Sequence, residues 1–379
     1  MKFIHLSDLH IGKRVNEYSM LEDQEYILNQ IIDIIDSQKP DGVIIAGDVY
    51  DKSVPSAEAV ALFDDFLVSL SKRNLFVFVI SGNHDSPERI AFGGRLMEAS
   101  NIYMSPVYAG DVSPVTLEDE FGKINIWMLP FVKPVHVRKF NEDAEIITYT
   151  DAMRVAIENL DVNSNERNIM ITHQFVTGAD RTESEEISVG GTDNVDVAVF
   201  EAFDYTALGH IHRAQNCKSP KVRYSGTPLK YSFSESKDIK SVTIVEIKEK
   251  GNLAVDTITL KPMRDMVEIK GKYEEIMLRD FYKATSYPND YVHITLTDED
   301  DIPDAIGKLR TVYHNLMKLD YDNLRTRNMN FVDGAYDVEK KSPFELFAEF
   351  YEMQNNQPMN DNQGAFIKKL IEEIWEGEA

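Results

Sequence analysis

Nine side chains that can bind a cation or move a proton stand in five short groups along the first 212 positions of the chain. They are Asp8 and His10, Asp48 and Asp51, Asn83 and His84 (within Gly82-Asn83-His84-Asp85), His173, and finally His210 and His212. Carboxylate, amide oxygen and imidazole without sulfur form a donor set that suits manganese, iron or zinc. A carboxylate placed centrally can bridge two such ions at a separation of about 3.5–4 Å. A cation pair of this kind lowers the pKa of a shared water and offsets charge on a phosphoryl group. Each group alone is weak, because Asp-x-His is frequent by chance and Gly-Asp is ordinary turn chemistry. All five in this order, each directly after an apolar run, make a dimetal centre for phosphoester hydrolysis the expectation.

The elements that must position these groups are short runs rich in Val, Ile and Phe at 3–6, 43–46, 76–81, 124–129, 169–172 and 206–209. Runs of that length and composition predict buried strands. Strand ends in open α/β sheets are where loops from distant parts of a chain converge on a ligand. Helices are predicted over 21–35, 57–70 and 87–99; in the first, Ile27, Leu28, Ile31 and Ile35 recur at helical spacing. The alternation predicts an α/β fold. Strands at 222–224, 241–247 and 253–260 follow with no helix between, which predicts a two-sheet β-sandwich flanked by helices.

Past position 264 the pattern changes. A strand at 291–297, a helix over about 302–315 and an extended stretch at 316–321 predict a small α/β domain over 265–337. Two helices, 343–353 and 364–375, predict a helix-loop-helix tail over 338–379. Phe344, Phe347 and Tyr351 form a row on the first; Phe366, Leu370 and Ile374, with Ile367, Ile371 and Trp375 beside them, form two on the second. Such rows usually pack a core, but about 40 residues are too few to bury them alone, and a terminal amphipathic pair also suits partner docking.

Composition sets limits. Hydrophobic residues make up 43% and charged residues 27% of the 379 positions, as in ordinary globular proteins. The formal net charge of −24 argues against a free-standing nucleic-acid binder, although bound cations reverse the local sign of a carboxylate site. The single cysteine, Cys217, excludes an internal disulfide. With no signal layout and no apolar span, a cytoplasmic location is expected.

The ordered signature resembles that of the calcineurin-like metallophosphoesterases over roughly residues 1–260. Within them the chain is similar to bacterial nuclease subunits that act with a long coiled-coil ATPase. The supporting segments are Leu21-Glu22-Asp23-Gln24, Tyr224-Ser225-Gly226-Thr227-Pro228, Tyr231-Ser232-Phe233-Ser234-Glu235, and the small domain with its two-helix tail. The resemblance implies that Asp8, His10 and His212 hold one divalent ion and Asn83, His173 and His210 the other, with Asp48 bridging. Manganese is the typical metal. It implies that His84 sits beside the scissile phosphate and that Asp51 orients it, although some relatives carry histidine where Asp51 stands.

For activity it implies 3′–5′ exonuclease action on duplex ends and endonuclease action on hairpins and single strands, in DNA repair, recombination and replication near the nucleoid. It further implies that residues 265–337 cap the DNA and that 338–379 dock on the ATPase. The assembly would contain two nuclease and two ATPase chains. Phosphomonoesterase or cyclic-nucleotide phosphodiesterase activity, or a non-catalytic scaffold, are the competing expectations. Lys13, Arg14 and Arg89 stand near the motifs, either to meet a backbone phosphate or as solvated or structural charges. His5, His136, His293 and His314 fall outside the pattern and are expected to be structural or surface histidines.

Overall fold

In the computed structural model the described residues are 1–180, 182, 194–326, 343–355 and 358–376. The chain divides into two compact units, Met1–Met266 and Val267–Ala379.

The first unit is built on two six-stranded sheets. In the first sheet, Lys2–Leu6, Gly42–Ala46, Phe76–Ile80 and Ile102–Met104 run parallel. Ser241–Ile247 and Leu253–Thr259 extend it antiparallel beyond Lys2–Leu6. The parallel strands of the second sheet are Gly122–Leu129, Arg167–His173, Tyr205–Gly209 and Ser219–Tyr224. Val115–Asp119 and Gln215–Cys217 close its two edges antiparallel.

Alternate residues of the two sheets meet in one core. Ile44, Ala46, Phe78 and Ile80 pack with Ile124, Ile126, Met128, Ile169, Ile171 and Ala207. The intervening residues of the second sheet, Trp127, Leu129, Met170 and Leu208, pack in a second cluster with Ala152, Met153 and Ala156 of the helix Tyr149–Glu158. Burial on both faces explains why the central strands read as unbroken apolar runs.

The helix Leu21–Gln38 buries the expected Ile27, Leu28, Ile31 and Ile35, and ends at Lys39 in a left-handed conformation. Ser56 caps the helix Ala57–Ser71 by accepting from the main-chain N–H of Ala59. The continuous helix expected over 87–99 is instead broken into Pro87–Ala91 and Gly94–Met97. Phe92 turns extended and Gly93 takes φ +74°, so the helical hydrogen bonds are interrupted there.

In the second unit, Met266–Gly271, Tyr291–Leu296 and Asn315–Tyr321 form a three-stranded sheet with the second strand central. Ile269, Val292, Ile294, Leu309 and Tyr313 form its core, and the Tyr313 hydroxyl donates to the carbonyl of Ile276. The helix expected over 302–315 is confined to Ala305–Arg310. Pairing of Tyr291 with Asn315 takes the end of that stretch for the sheet. The tail helices are Pro343–Asn355 and Asp361–Glu376. Gln363 donates to the Tyr351 hydroxyl at 2.8 Å, and Lys368 lies over the Phe344 ring. The boundary expected at 337/338 and the side chains of Ile374 and Trp375 lie outside the described residues.

Candidate metal centre

The strands Lys2–Leu6, Gly42–Ala46, Phe76–Ile80, Arg167–His173 and Tyr205–Gly209 deliver all five sequence groups to one place. Main-chain bonds knit the first two loops: Asp8 N–H donates to the carbonyl of Gly47, His10 N–H to Asp48, and Ile11 N–H to Val49. Asp8, His10, Asp48 and His210 all adopt positive φ, at 51°, 46°, 49° and 106°. A non-glycine residue in such a conformation costs about 1–3 kcal/mol and persists only where its surroundings over-determine it. Strain concentrated on four candidate ligands therefore argues for function rather than for packing.

The candidate ligand atoms crowd closely. His10 Nε2 lies 3.1 Å from His212 Nε2 and 3.8 Å from Asp48 Oδ2. Asp48 Oδ2 is in turn 3.3 Å from His173 Nε2, so one carboxylate spans both halves of the site. Asn83 Oδ1 lies 2.9 Å from both His173 Nε2 and His210 Nδ1. Three overlapping sets, Asp8–His10–His212, His10–Asp48–His84 and Asp8–Asp48–His173, each bring their ligand atoms within 4.8 Å of one another.

Asp8, Asp48, His10, His173, His210 and His212 are all buried. Burial of Asp8, with Asp48 close by, pushes its carboxyl up to about 6. Burial opposes ionisation of Asp48 too, but His173 beside it holds this carboxyl well below the usual range. Burial works against a charge on His173 as well; Asp48 and Asp8 outweigh it and raise the imidazole to about 9. Burial holds His10 well below the ordinary histidine value. Two buried carboxylates facing four imidazoles are a donor set that divalent cations would compensate far better than shared protons. The residues present fit the metal pair.

His84 is half-buried. Its main-chain N–H donates to Asp48 Oδ1, its Nδ1 faces the carbonyl oxygen of Asp51 at 3.1 Å, and its ring meets His10 edge-on. The contact expected from Asp51 to His84 thus runs through the Asp51 main chain. The Asp51 carboxylate is taken by Lys13, at 2.7 Å. Lys13 is accordingly an ion-pair partner, whereas Arg14 and Arg89 are exposed. His5 is buried against Tyr205, His136 lies in a helix-capping box with Lys133, and His293 bridges to Asp320. His314 is exposed. All four stand outside the centre.

Several residues gain roles that sequence spacing left open. Gly47 has φ +85°, and a Cβ there would stand 2.5 Å from His173 Nδ1. A Cβ on Gly82 would collide with the side chain and backbone of Asp48. The Asp85 carboxylate accepts the N–H groups of Val49, Tyr50 and Gly82, tying the second and third loops together. Gln24 donates to the carbonyl of His10 and to the Tyr231 hydroxyl, and Tyr231 packs edge-on to His10 and His212. Gln24 and Tyr231 lie in segments that carry the family resemblance, but only the fold supplies their partners.

The family model for calcineurin-like phosphoesterases matches residues 1–214, and a second model, described as the type 5 capsule protein repressor C-terminal domain, matches residues 262–355. The SbcD subunit of the nuclease SbcCD from Staphylococcus epidermidis is 31% identical over 385 residues, and the match covers 100% of both chains. A dimetal phosphatase from Danio rerio is 10% identical, covering 69% of this chain and 98% of its own, with a TM-score of 0.38. The phosphoesterase Yfce from E. coli is 13% identical, covering 69% and 100%, with a TM-score of 0.28. The chain belongs to the calcineurin-like phosphoesterases and, within them, to the SbcD family of nucleases. It is a metal-dependent hydrolase of phosphodiester bonds.

Proposed function

We propose that this chain degrades DNA in partnership with an SbcC-type coiled-coil ATPase, as a 3′–5′ exonuclease on duplex ends and an endonuclease on hairpins and single strands. The observation that carries the reading is the Asp48 carboxylate, within 4 Å of an imidazole on each side of the centre. Asp8, His10 and His212 would hold one cation, and Asn83, His173 and His210 the other, with Asp48 shared; manganese is the proposed metal. Two divalent cations supply an activated water nucleophile and offset the charge on the phosphoryl group.

The chain's own residues provide the rest. Donation from His84 Nδ1 to the Asp51 carbonyl fixes the ring and turns Nε2 towards the phosphate. As the imidazolium, with a second proton taken from solvent, the ring would give the Nε2 proton to the leaving oxygen and return to the neutral Nδ1–H form. Asp51 positions His84 through that carbonyl and holds Lys13 at the site with its carboxylate. The net charge of −24 supports a shared task, with cations and a partner carrying the positive surface that DNA requires.

Residues 265–337 are assigned to capping the DNA and 338–379 to docking on the ATPase. Phe347, Phe350, Phe366 and Leu370 of the tail helices are exposed, which supports the second assignment. The chain would pair with itself in an assembly of two nuclease and two ATPase chains. Phe92 and Leu96, each 83% exposed just past the His84 loop, offer apolar surface for that pairing. A cytoplasmic, nucleoid-associated site of action goes with DNA as substrate. Among the described residues no helix is long and apolar enough to cross a membrane.

The test is degradation of linear duplex DNA, varying the ATPase, ATP and manganese in turn. Digestion that needs manganese is the expected result. Rapid turnover of small phosphoesters with no DNA cleavage, even with the ATPase present, would replace this reading by a phosphomonoesterase or cyclic-nucleotide phosphodiesterase.

A further inference from the structure

Behind the centre lies a buried ionic group that the hydrolytic steps above do not use. Glu235 is fully buried, and its Oε2 accepts from Lys240 Nζ at 2.5 Å. Its other oxygen, Oε1, faces His212 Nδ1 at 3.6 Å. Lys240 also donates to the main-chain carbonyl of His212 at 2.9 Å and to Thr227 Oγ1 at 2.8 Å. The N–H of Thr227 donates to that same carbonyl. One short stretch, 227–240, thus grips His212 at both its ring and its backbone.

His173, His84 and His10 are backed differently. His173 and His84 turn Nδ1 towards main-chain carbonyls, at 2.9 and 3.1 Å. Near His10 Nδ1 the Asp51 carboxylate stands at 4.0 Å and is already engaged by Lys13. At His212 a carboxylate stands behind Nδ1 while Nε2 turns to His10 in the centre. A carboxylate at one ring nitrogen draws the proton there and leaves the lone pair on the other.

We propose that Glu235, clamped by Lys240, is a positioning residue for the cation held by Asp8, His10 and His212: it keeps the His212 proton on Nδ1, so that Nε2 presents its lone pair to that cation. This inference rests on the metal assignment above and adds an asymmetry to it. At the other cation, His173 is backed by the carbonyl of Ala46 rather than by a carboxylate. Neutralising Glu235 should weaken one of the two ions and spare the other.

The experiment is titration of the metal-free full chain with Mn2+ alone, read by calorimetry and by electron paramagnetic resonance. It is paired with 15N NMR of the histidine ring nitrogens in the wild-type chain before metal is added. We expect two Mn2+ ions in the wild type, a roughly 10–100-fold loss of affinity at one site in Glu235→Gln, partial recovery in Glu235→Asp, and His212 protonated on Nδ1. Both sites unchanged in a folded Glu235→Gln, both weakened equally, or a His212 proton on Nε2 would overturn the proposal. The NMR result stands even where the variant fails to fold. A wild-type chain that binds no Mn2+ defeats the metal assignment itself.

Discussion

The metal centre and the tail helices are solved by opposite means. At the centre every loop is tied to another by the chain's own bonds, and strained residues are held before any ligand arrives: Asp8 to Gly47, His10 to Asp48, and Asp85 to both Val49 and Gly82. In the tail, Phe347, Phe350, Phe366 and Leu370 are exposed on helices that Gln363 joins through the Tyr351 hydroxyl. Preorganised chemistry needs a scaffold that over-determines it. A docking element needs the reverse, apolar surface left for another molecule.

The sharpest way to break this contrast is to damage the scaffold. Gly82→Ala drives a Cβ into Asp48 and should abolish both metal uptake and DNA cleavage, read by metal analysis and a nuclease assay. Retained metal content would show the loops to be more compliant than their bonding implies. His84→Ala separates chemistry from scaffold. Cleavage should fall about 10²–10⁴-fold with two ions still bound, and equal nuclease rates would remove His84 from the reaction.

Deleting residues from Ser342 onward probes the other region. Co-purification with the ATPase should be lost while metal content is unchanged; persistent association would place the docking surface elsewhere. Phe366→Asp refines that test. It should weaken the association and change folding stability by no more than about 0.5 kcal/mol, as exposed positions do.

The smallest effect concerns His5, buried beneath the centre. Burial, with Arg223 near, pushes its imidazole down to about 3, below the ordinary 6.5 of an unfolded chain. Between those values the unfolded state binds the extra proton, so this group removes stability as pH falls from 6.5 towards 3. The slope is about 1.4 kcal/mol per pH unit. Denaturant unfolding at pH 7 and pH 5.5 should show a steeper acid loss in wild type than in His5→Asn. Identical slopes would contradict the assignment.

What could be read before the fold was known follows from range. The residues that the structure brings together were legible because motif chemistry is local: an apolar run, then Asp8 and His10, or Gly82, Asn83 and His84. The central strands were legible because burial on both faces leaves unbroken apolar runs. Ile102–Met104, Val115–Asp119 and Gln215–Cys217 were missed because edge strands are short and mixed in polarity. The break at Gly93 needed a left-handed φ that no periodicity reports. The route from Asp51 to His84 through a carbonyl, and the grip of Glu235 and Lys240 on His212, depend on contacts between loops distant in sequence.

The central claim is that side chains from Asp8 to His212 surround two cations that share Asp48. Anomalous diffraction from crystals soaked in manganese tests it directly. Two peaks about 3.5–4 Å apart are predicted, one against Asp8, His10 and His212, the other against Asn83, His173 and His210, with Asp48 between. A single peak, or none at full soak, would contradict the account.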